Sequence, residues 1–116
     1  MIDDYKALLE IVKNKLELIG FSLREDTEFV AYFSGSSDWK ILFEGERYVR
    51  PAFNLSVQYY DSEFSIRILM KLFKNYKKPS LDEQLKFLIE NHDQIFVYPP
   101  PYAKKYEIIN TSETAI

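Results

Sequence analysis

The side chains able to do chemistry in this chain are few and scattered. His92 is the one histidine, with Glu90 and Asp93 beside it as the acids a proton-transfer pair would use. No serine or cysteine signature accompanies it, and it falls in line with Leu85, Leu88 and Ile89 at helical spacing, which reads as a partly buried structural position. The chain contains no cysteine, so a thiolate nucleophile, a disulfide framework and a thiolate metal site are all excluded. A lone histidine without an HExxH spacing does not make a zinc site. The three glycines, at positions 20, 35 and 45, lie too far apart to close backbone N–H groups around a phosphate. The sequence therefore offers no catalytic residue, metal site or cofactor site.

Paired carboxylates occur at Asp3 with Asp4, Glu25 with Asp26, and Asp82 with Glu83. The first and last pairs stand where helices begin, and there a carboxylate complements the helix dipole. Arg67, Lys71, Lys74 and Lys78 recur at intervals of four, three and four and line one helical face, a stripe that could meet phosphates. A solvated face is the more economical reading in an acidic chain without a nucleic-acid fold signature. Pro99, Pro100, Pro101 and Tyr102 match the Pro-Pro-x-Tyr pattern read by WW modules. They also stop a helix and begin an extended connection, which explains them without a partner.

The remaining candidates form a binding patch. Glu25, Asp26 and Glu28 surround the start of the first expected strand, Asp38 lies in a loop, and Glu44 and Glu46 follow the second strand. Tyr32, Trp39, Tyr48 and Tyr60 are interleaved with them. Acids that steer and aromatics that anchor suit a basic protein partner, and Glu25, Asp26, Glu28, Asp38, Trp39, Glu44, Glu46 and Tyr60 are the expected contact residues.

These groups must be carried by one domain, since 116 residues with 47% hydrophobic and 16% aromatic content can bury a core unaided. Tyr5, Leu8, Leu9, Val12, Leu16 and Ile19 mark an amphipathic helix, with Asp3 or Asp4 as its cap and Gly20 as its stop. Alternation at Phe29, Ala31 and Phe33, at Trp39, Ile41 and Phe43, and at Phe53, Leu55, Val57 and Tyr59 predicts three strands, with Pro51 opening the third. Ser62 then stands at the cap of a second helix with the stripe Ile66, Leu69, Met70 and Phe73 and a lysine-rich end. Ser80 and Glu83 form a capping box for a third helix reaching about Phe96. Helix and strand both fit residues 102–109, and residues 110–116 read as a frayed tail.

The expected fold is α+β: a helix, a three-stranded antiparallel meander, then two helices on one sheet face. The net charge of −3 argues against a general nucleic-acid footprint. The acidic N-terminus and the lack of an apolar run near the roughly 20 residues of a membrane span point to the cytoplasm.

The run "SIRILMKLFKNYKKPSLDEQLKFLIENHDQIF", residues 65–96, preceded by the aromatic meander, resembles in overall plan the small bacterial immunity proteins of polymorphic or contact-dependent toxin systems. The resemblance implies a non-enzymatic cytoplasmic protein that binds one toxin domain and covers its active site or an essential surface. It also implies a basic partner, since such toxins are often nucleases. It transfers no contact residue to a numbered position. Two other readings stand beside it: a nucleic-acid-binding regulator using the basic helix face, and a homodimer formed through the aromatic face of the sheet.

Overall fold

Strand side chains leave on alternate faces, so the strand register decides which residues reach the core. The structure, a computed structural model, describes residues 1–74 and 78–114, without the side chains of Lys74 and of residues 112–114. In chain order the elements are α1 (Asp3–Glu17), β1 (Ser22–Asp26), β2 (Val30–Ser34), β3 (Trp39–Gly45), β4 (Phe53–Tyr59), β5 (Ser62–Ser65), α2 (Ile66–Lys74), α3 (Leu81–Glu90), α4 (His92–Ile95) and α5 (Ala103–Thr114). The strands make one antiparallel sheet in the order β1-β2-β3-β4-β5. The class is α+β, as the sequence predicts.

The three strands read from alternation are β2, β3 and β4. Ala31 pairs with Phe43 and Phe33 with Ile41, and Phe43 and Ile41 pair in turn with Leu55 and Val57. All six are fully buried. Onto this face α1 lays Tyr5, Leu9, Val12 and Leu16, with Leu85 and Leu88 of α3 completing the same core. Burying side chains of this kind stabilises by about 1.5–3 kcal/mol each.

Two strands were hidden from the sequence reading, and the meander has five rather than three. β1 is "SLRED", an edge strand with an outward register shift between Leu23 and Glu25. Its charges and its bulge blunt an otherwise free edge, which is why it carries no hydrophobic alternation. β5 occupies the stretch expected to open α2: Ser62 is not a helix cap but pairs with Tyr59, and Phe64 pairs with Val57. A tight turn at Tyr60 and Asp61 makes this reversal, and the helix starts only at Ile66.

Other boundaries move for local reasons. The N-cap of α1 is Ile2, with Asp3 and Asp4 inside the first turn. The helix ends at Glu17, and Gly20 follows it at φ +84°. Pro51 lies in the β3–β4 loop, two residues before β4 begins. The capping box of α3 is present, with Glu83 N–H donating to Ser80 Oγ at 3.2 Å and Ser80 N–H donating to Glu83 Oε1 at 3.0 Å. Asn91 interrupts the run predicted to reach Phe96, so α3 and α4 are separate helices.

The C-terminal segment is helical over Ala103–Thr114, so residues 110–114 continue α5 rather than fray, while 115–116 lie outside the described residues. α5 closes the other sheet edge. Ser65 N–H of β5 donates to Tyr106 Oη at 2.7 Å, and Phe64 meets the rings of Tyr102 and Tyr106 edge-on at 5.2 and 5.0 Å. Among the described residues, no helix is long and apolar enough to cross a membrane.

Candidate binding surfaces at the two ends of the sheet

An antiparallel meander sends its connections alternately to two ends. The β2–β3 loop and the β4–β5 turn share one end, while the β1–β2 turn and the β3–β4 loop share the other. A seven-residue strand such as β3 separates these ends by roughly 20 Å at about 3.3 Å per residue. The eight expected contact residues are therefore divided. Asp38, Trp39 and Tyr60 stand at the first end, Asp26, Glu28, Glu44 and Glu46 at the second, and Glu25 on the β1 edge opposite Tyr32.

At the first end Trp39 is only 2% exposed, packed against Tyr59 at 5.1 Å, Phe96 at 5.7 Å and Phe64 at 6.4 Å. It anchors the fold and offers no surface to a partner, contrary to its expected role. The surface belongs to its neighbours. Tyr60 and Tyr98 are 67% and 68% exposed. Tyr98 stacks on Tyr59 at 4.5 Å with an interplanar angle of 19°, and Tyr60 stands edge-on to Tyr59 at 4.8 Å.

Tyr60 also has φ +51°, a left-handed backbone that a bulky residue adopts only at a cost. Asp38 is exposed beside this group. Partial burial first, and then Tyr60, Asp38 and Tyr98, push the Tyr59 hydroxyl above its ordinary titration range. Tyr59 and Tyr98 were not among the expected site residues. Tyr59 reads from alternation as an inward strand residue, and Tyr98 immediately precedes a proline run that draws attention to its prolines.

At the second end most groups are engaged. The Met1 ammonium pairs with Asp26, and the Ile2 N–H donates to the Glu28 carbonyl at 2.9 Å. The Tyr5 hydroxyl, from a fully buried ring, lies 2.7 Å from both the Glu46 and Ala52 carbonyls and donates between them. Arg47 and Arg50 lay their guanidinium groups over Phe29 at 4.8 and 5.2 Å from its centroid, and Arg50 also pairs with Asp4 at 3.2 Å.

Beside this loop an open groove of about 660 Å³ is lined by Glu44, Asn54, Ser65, Arg67, Tyr106 and Asn110, among others. Glu44 is half-buried and lines this groove together with Arg47 and with residues of α2 and α5. Its burial first, and then the charges of Glu63 and Glu46, hold its carboxyl above the usual range. Glu63 itself accepts from the Ser56 hydroxyl at 2.9 Å.

His92 is exposed rather than partly buried, because α4 restarts the helix at that residue, and its Nδ1 lies 2.7 Å from the Ile89 carbonyl. Among the described residues, no group of three His, Cys, Asp or Glu side chains could hold a metal ion. Tyr102 is buried, and its hydroxyl donates to the Ile95 carbonyl at 2.7 Å. The Pro-Pro-x-Tyr run is therefore a packed helix stop whose tyrosine no WW module reaches without unfolding it.

Of the basic stripe, Arg67 and Lys71 lie on α2, the Lys74 side chain is outside the described residues, and Lys78 follows the helix end. Ile66, Ile68, Leu69 and Met70 are all buried, so α2 is covered more widely than its stripe predicts, with α5 packed against it. The aromatic sheet face expected to mediate self-association is the face the helices cover. A comparison of the chain with protein families, with curated proteins and with solved structures finds no match.

Proposed function

We propose that this chain is a non-enzymatic binding protein of the immunity type, working in the cytoplasm, which neutralises one basic toxin domain by occluding it. The supporting observation is the acidic character around Glu44 and Glu46 at the second end of the sheet, with Glu63 on β5 also acting on Glu44: burial first, and then the charges of Glu63 and Glu46, hold the Glu44 carboxyl above its ordinary range. Such a cluster is relieved by positive charge from a partner, and acidic surfaces of this kind speed the encounter with a basic protein and fix its orientation. The acids bring the partner in, and exposed aromatics supply the desolvated contact.

The test is a pulldown from lysate of the native organism with tagged protein at moderate salt, followed by mass spectrometry and by association kinetics with the captured partner. A stoichiometric partner bearing a toxic domain, whose association slows tenfold or more when Glu44, Glu46 and Glu63 are changed to Lys, is the expected result. Capture of nucleic acid instead, or unchanged kinetics after charge reversal, would overturn it.

A further inference from the structure

Resting on that reading but concerning a different surface, we infer that the exposed tyrosines at the first end of the sheet, Tyr60 and Tyr98 on their Tyr59 base, form an anchoring site for an arginine side chain of the partner, with Asp38 and Asp61 completing it.

A two-residue hairpin turn that needs a positive φ ordinarily uses glycine, asparagine or aspartate, which adopt that conformation at little cost. This turn holds a tyrosine there, at φ +51°, and leaves its ring 67% exposed. The fold gains little burial from the ring and accepts the strain of its backbone. Strain that persists where a simpler residue would serve points to a role outside folding.

The geometry then selects the ligand. Tyr98 covers one face of Tyr59 in a near-parallel stack, so its own outer face is open, and Tyr60 stands nearly perpendicular at 82° to the same base ring. Two tyrosine platforms thus flank a corner bordered by Asp38 in one loop and Asp61 in the turn, both exposed. An electron-rich ring face attracts a cation, and a guanidinium does so best because its plane lies flat on the ring while its edge donates to a carboxylate. Lys40, next along β3 from Trp39, alternates to the other face of the sheet and does not neutralise the corner.

The molecule already makes this interaction elsewhere. Among the described residues, the guanidinium-over-ring contacts are both on Phe29, from Arg47 and Arg50, with Asp4 as the paired carboxylate. At the tyrosine corner the rings and acids are in place, and the cation is left for a partner to bring. Charge complementarity and ring chemistry therefore specify an arginine-bearing protein surface.

The experiment uses the full chain and defined probes: an acetylated, amidated tetra-arginine peptide, its tetra-lysine counterpart and an uncharged Gly-Ser peptide, each titrated while backbone and tyrosine-ring NMR signals are followed. The expected result is shifts concentrated at Asp38, Tyr59, Tyr60, Asp61 and Tyr98, stronger for arginine than for lysine and absent for Gly-Ser. Tyr60→Gly and Tyr98→Ala should each weaken arginine-peptide binding at least fivefold, Tyr60→Phe less than twofold, and Glu44→Gln less than twofold. Tyr60→Asn, which keeps the turn geometry, substitutes for the glycine variant if that one fails to fold.

Shifts concentrated at Glu44 and Glu46, or binding indifferent to Tyr60→Gly, would overturn the inference. The two proposals fail separately. Arginine binding at the corner with no toxin captured from lysate removes the immunity reading alone, whereas a toxin whose affinity ignores Tyr60 and Tyr98 removes the corner alone.

Discussion

The two ends of the sheet differ in how they hold their aromatic rings. At the second end Phe29 is covered by Arg47 and Arg50, and Tyr5 by the β3–β4 loop whose carbonyls its hydroxyl holds, while Tyr48 in that loop is 90% exposed. At the first end Trp39 does the packing, while Tyr60 and Tyr98 stand above it uncovered. The same residue class is structural where the chain supplies its own cation or loop, and a surface where it does not. Electrostatics divides the ends too, since at the second burial and then the charges of Glu63 and Glu46 raise the Glu44 carboxyl. On the proposed reading the first end would hold a partner, which governs dissociation, and the second would attract one, which governs association.

The largest expected effects test whether each end is anchored as described. Trp39→Ala removes the ring that Tyr59, Phe64 and Phe96 pack around, and it should cost about 3–5 kcal/mol in urea unfolding. A loss below about 1 kcal/mol, well under that range, would mean that the tyrosine corner does not rest on Trp39. At the other end a Cβ placed on Gly45 would overlap the Tyr5 ring. Gly45→Ala should therefore destabilise by about 1–3 kcal/mol through overpacking. An unchanged melting temperature would show that the Tyr5 ring moves freely, and the β3–β4 loop would not be closed over it as described.

How much of this was legible in the sequence follows from how each element is stabilised. α1, β2, β3, β4 and the α3 capping box are held by their own patterns, because apolar period and cap chemistry are local properties. β1 and β5 are held by pairing with a neighbour. "SLRED" has no inward period to read, and "SEFS" carries a single core side chain, Phe64, whose place depends on a turn two residues earlier.

The candidate site was partly legible for the same reason. Composition singles out acids and aromatics, and of these Asp38 and Tyr60 share an end of the sheet. But residue types do not report burial, so composition alone makes Trp39 look like a contact residue when it is 2% exposed. Nor do they report which loops meet, so one patch was expected where the meander makes two. Tyr98 joins Tyr59 only through tertiary packing across a long sequence separation.

A smaller effect sharpens the contrast between ring and backbone at the tyrosine corner. Releasing the left-handed strain with Tyr60→Gly recovers about 1–2 kcal/mol, against which glycine's extra unfolded-state entropy costs about 0.5–1 kcal/mol. The net lies between no change and a gain of about 1.5 kcal/mol, read as an equal or higher urea midpoint, in the variant expected to lose arginine binding. Destabilisation by more than about 1 kcal/mol, against that strain-release expectation, would instead make the Tyr60 ring a packing element of Tyr59 and place the first end in the same category as the second.

The smallest effect concerns Glu44, and its sign follows from protons. Its carboxyl sits above the ordinary range in the fold, raised by burial and then by Glu63 and Glu46. Through the window just above the unfolded value the folded chain therefore holds more of that proton than the unfolded chain does. Its contribution to stability is fully present below the unfolded pKa and is lost as pH rises through the raised folded value. Glu44→Gln has no proton to lose there. Compared by urea unfolding, the two chains should differ least near about pH 3.5, below the ordinary glutamate value, and at neutral pH the variant should be more stable by a few tenths of a kcal/mol, because solvent screens a half-exposed group. The same substitution should slow association with a basic partner, so the carboxylate end would give up attraction as it gains stability. Parallel pH profiles for the two chains would mean that Glu44 is not under repulsion, and the acidic end would then be an ordinary solvated surface.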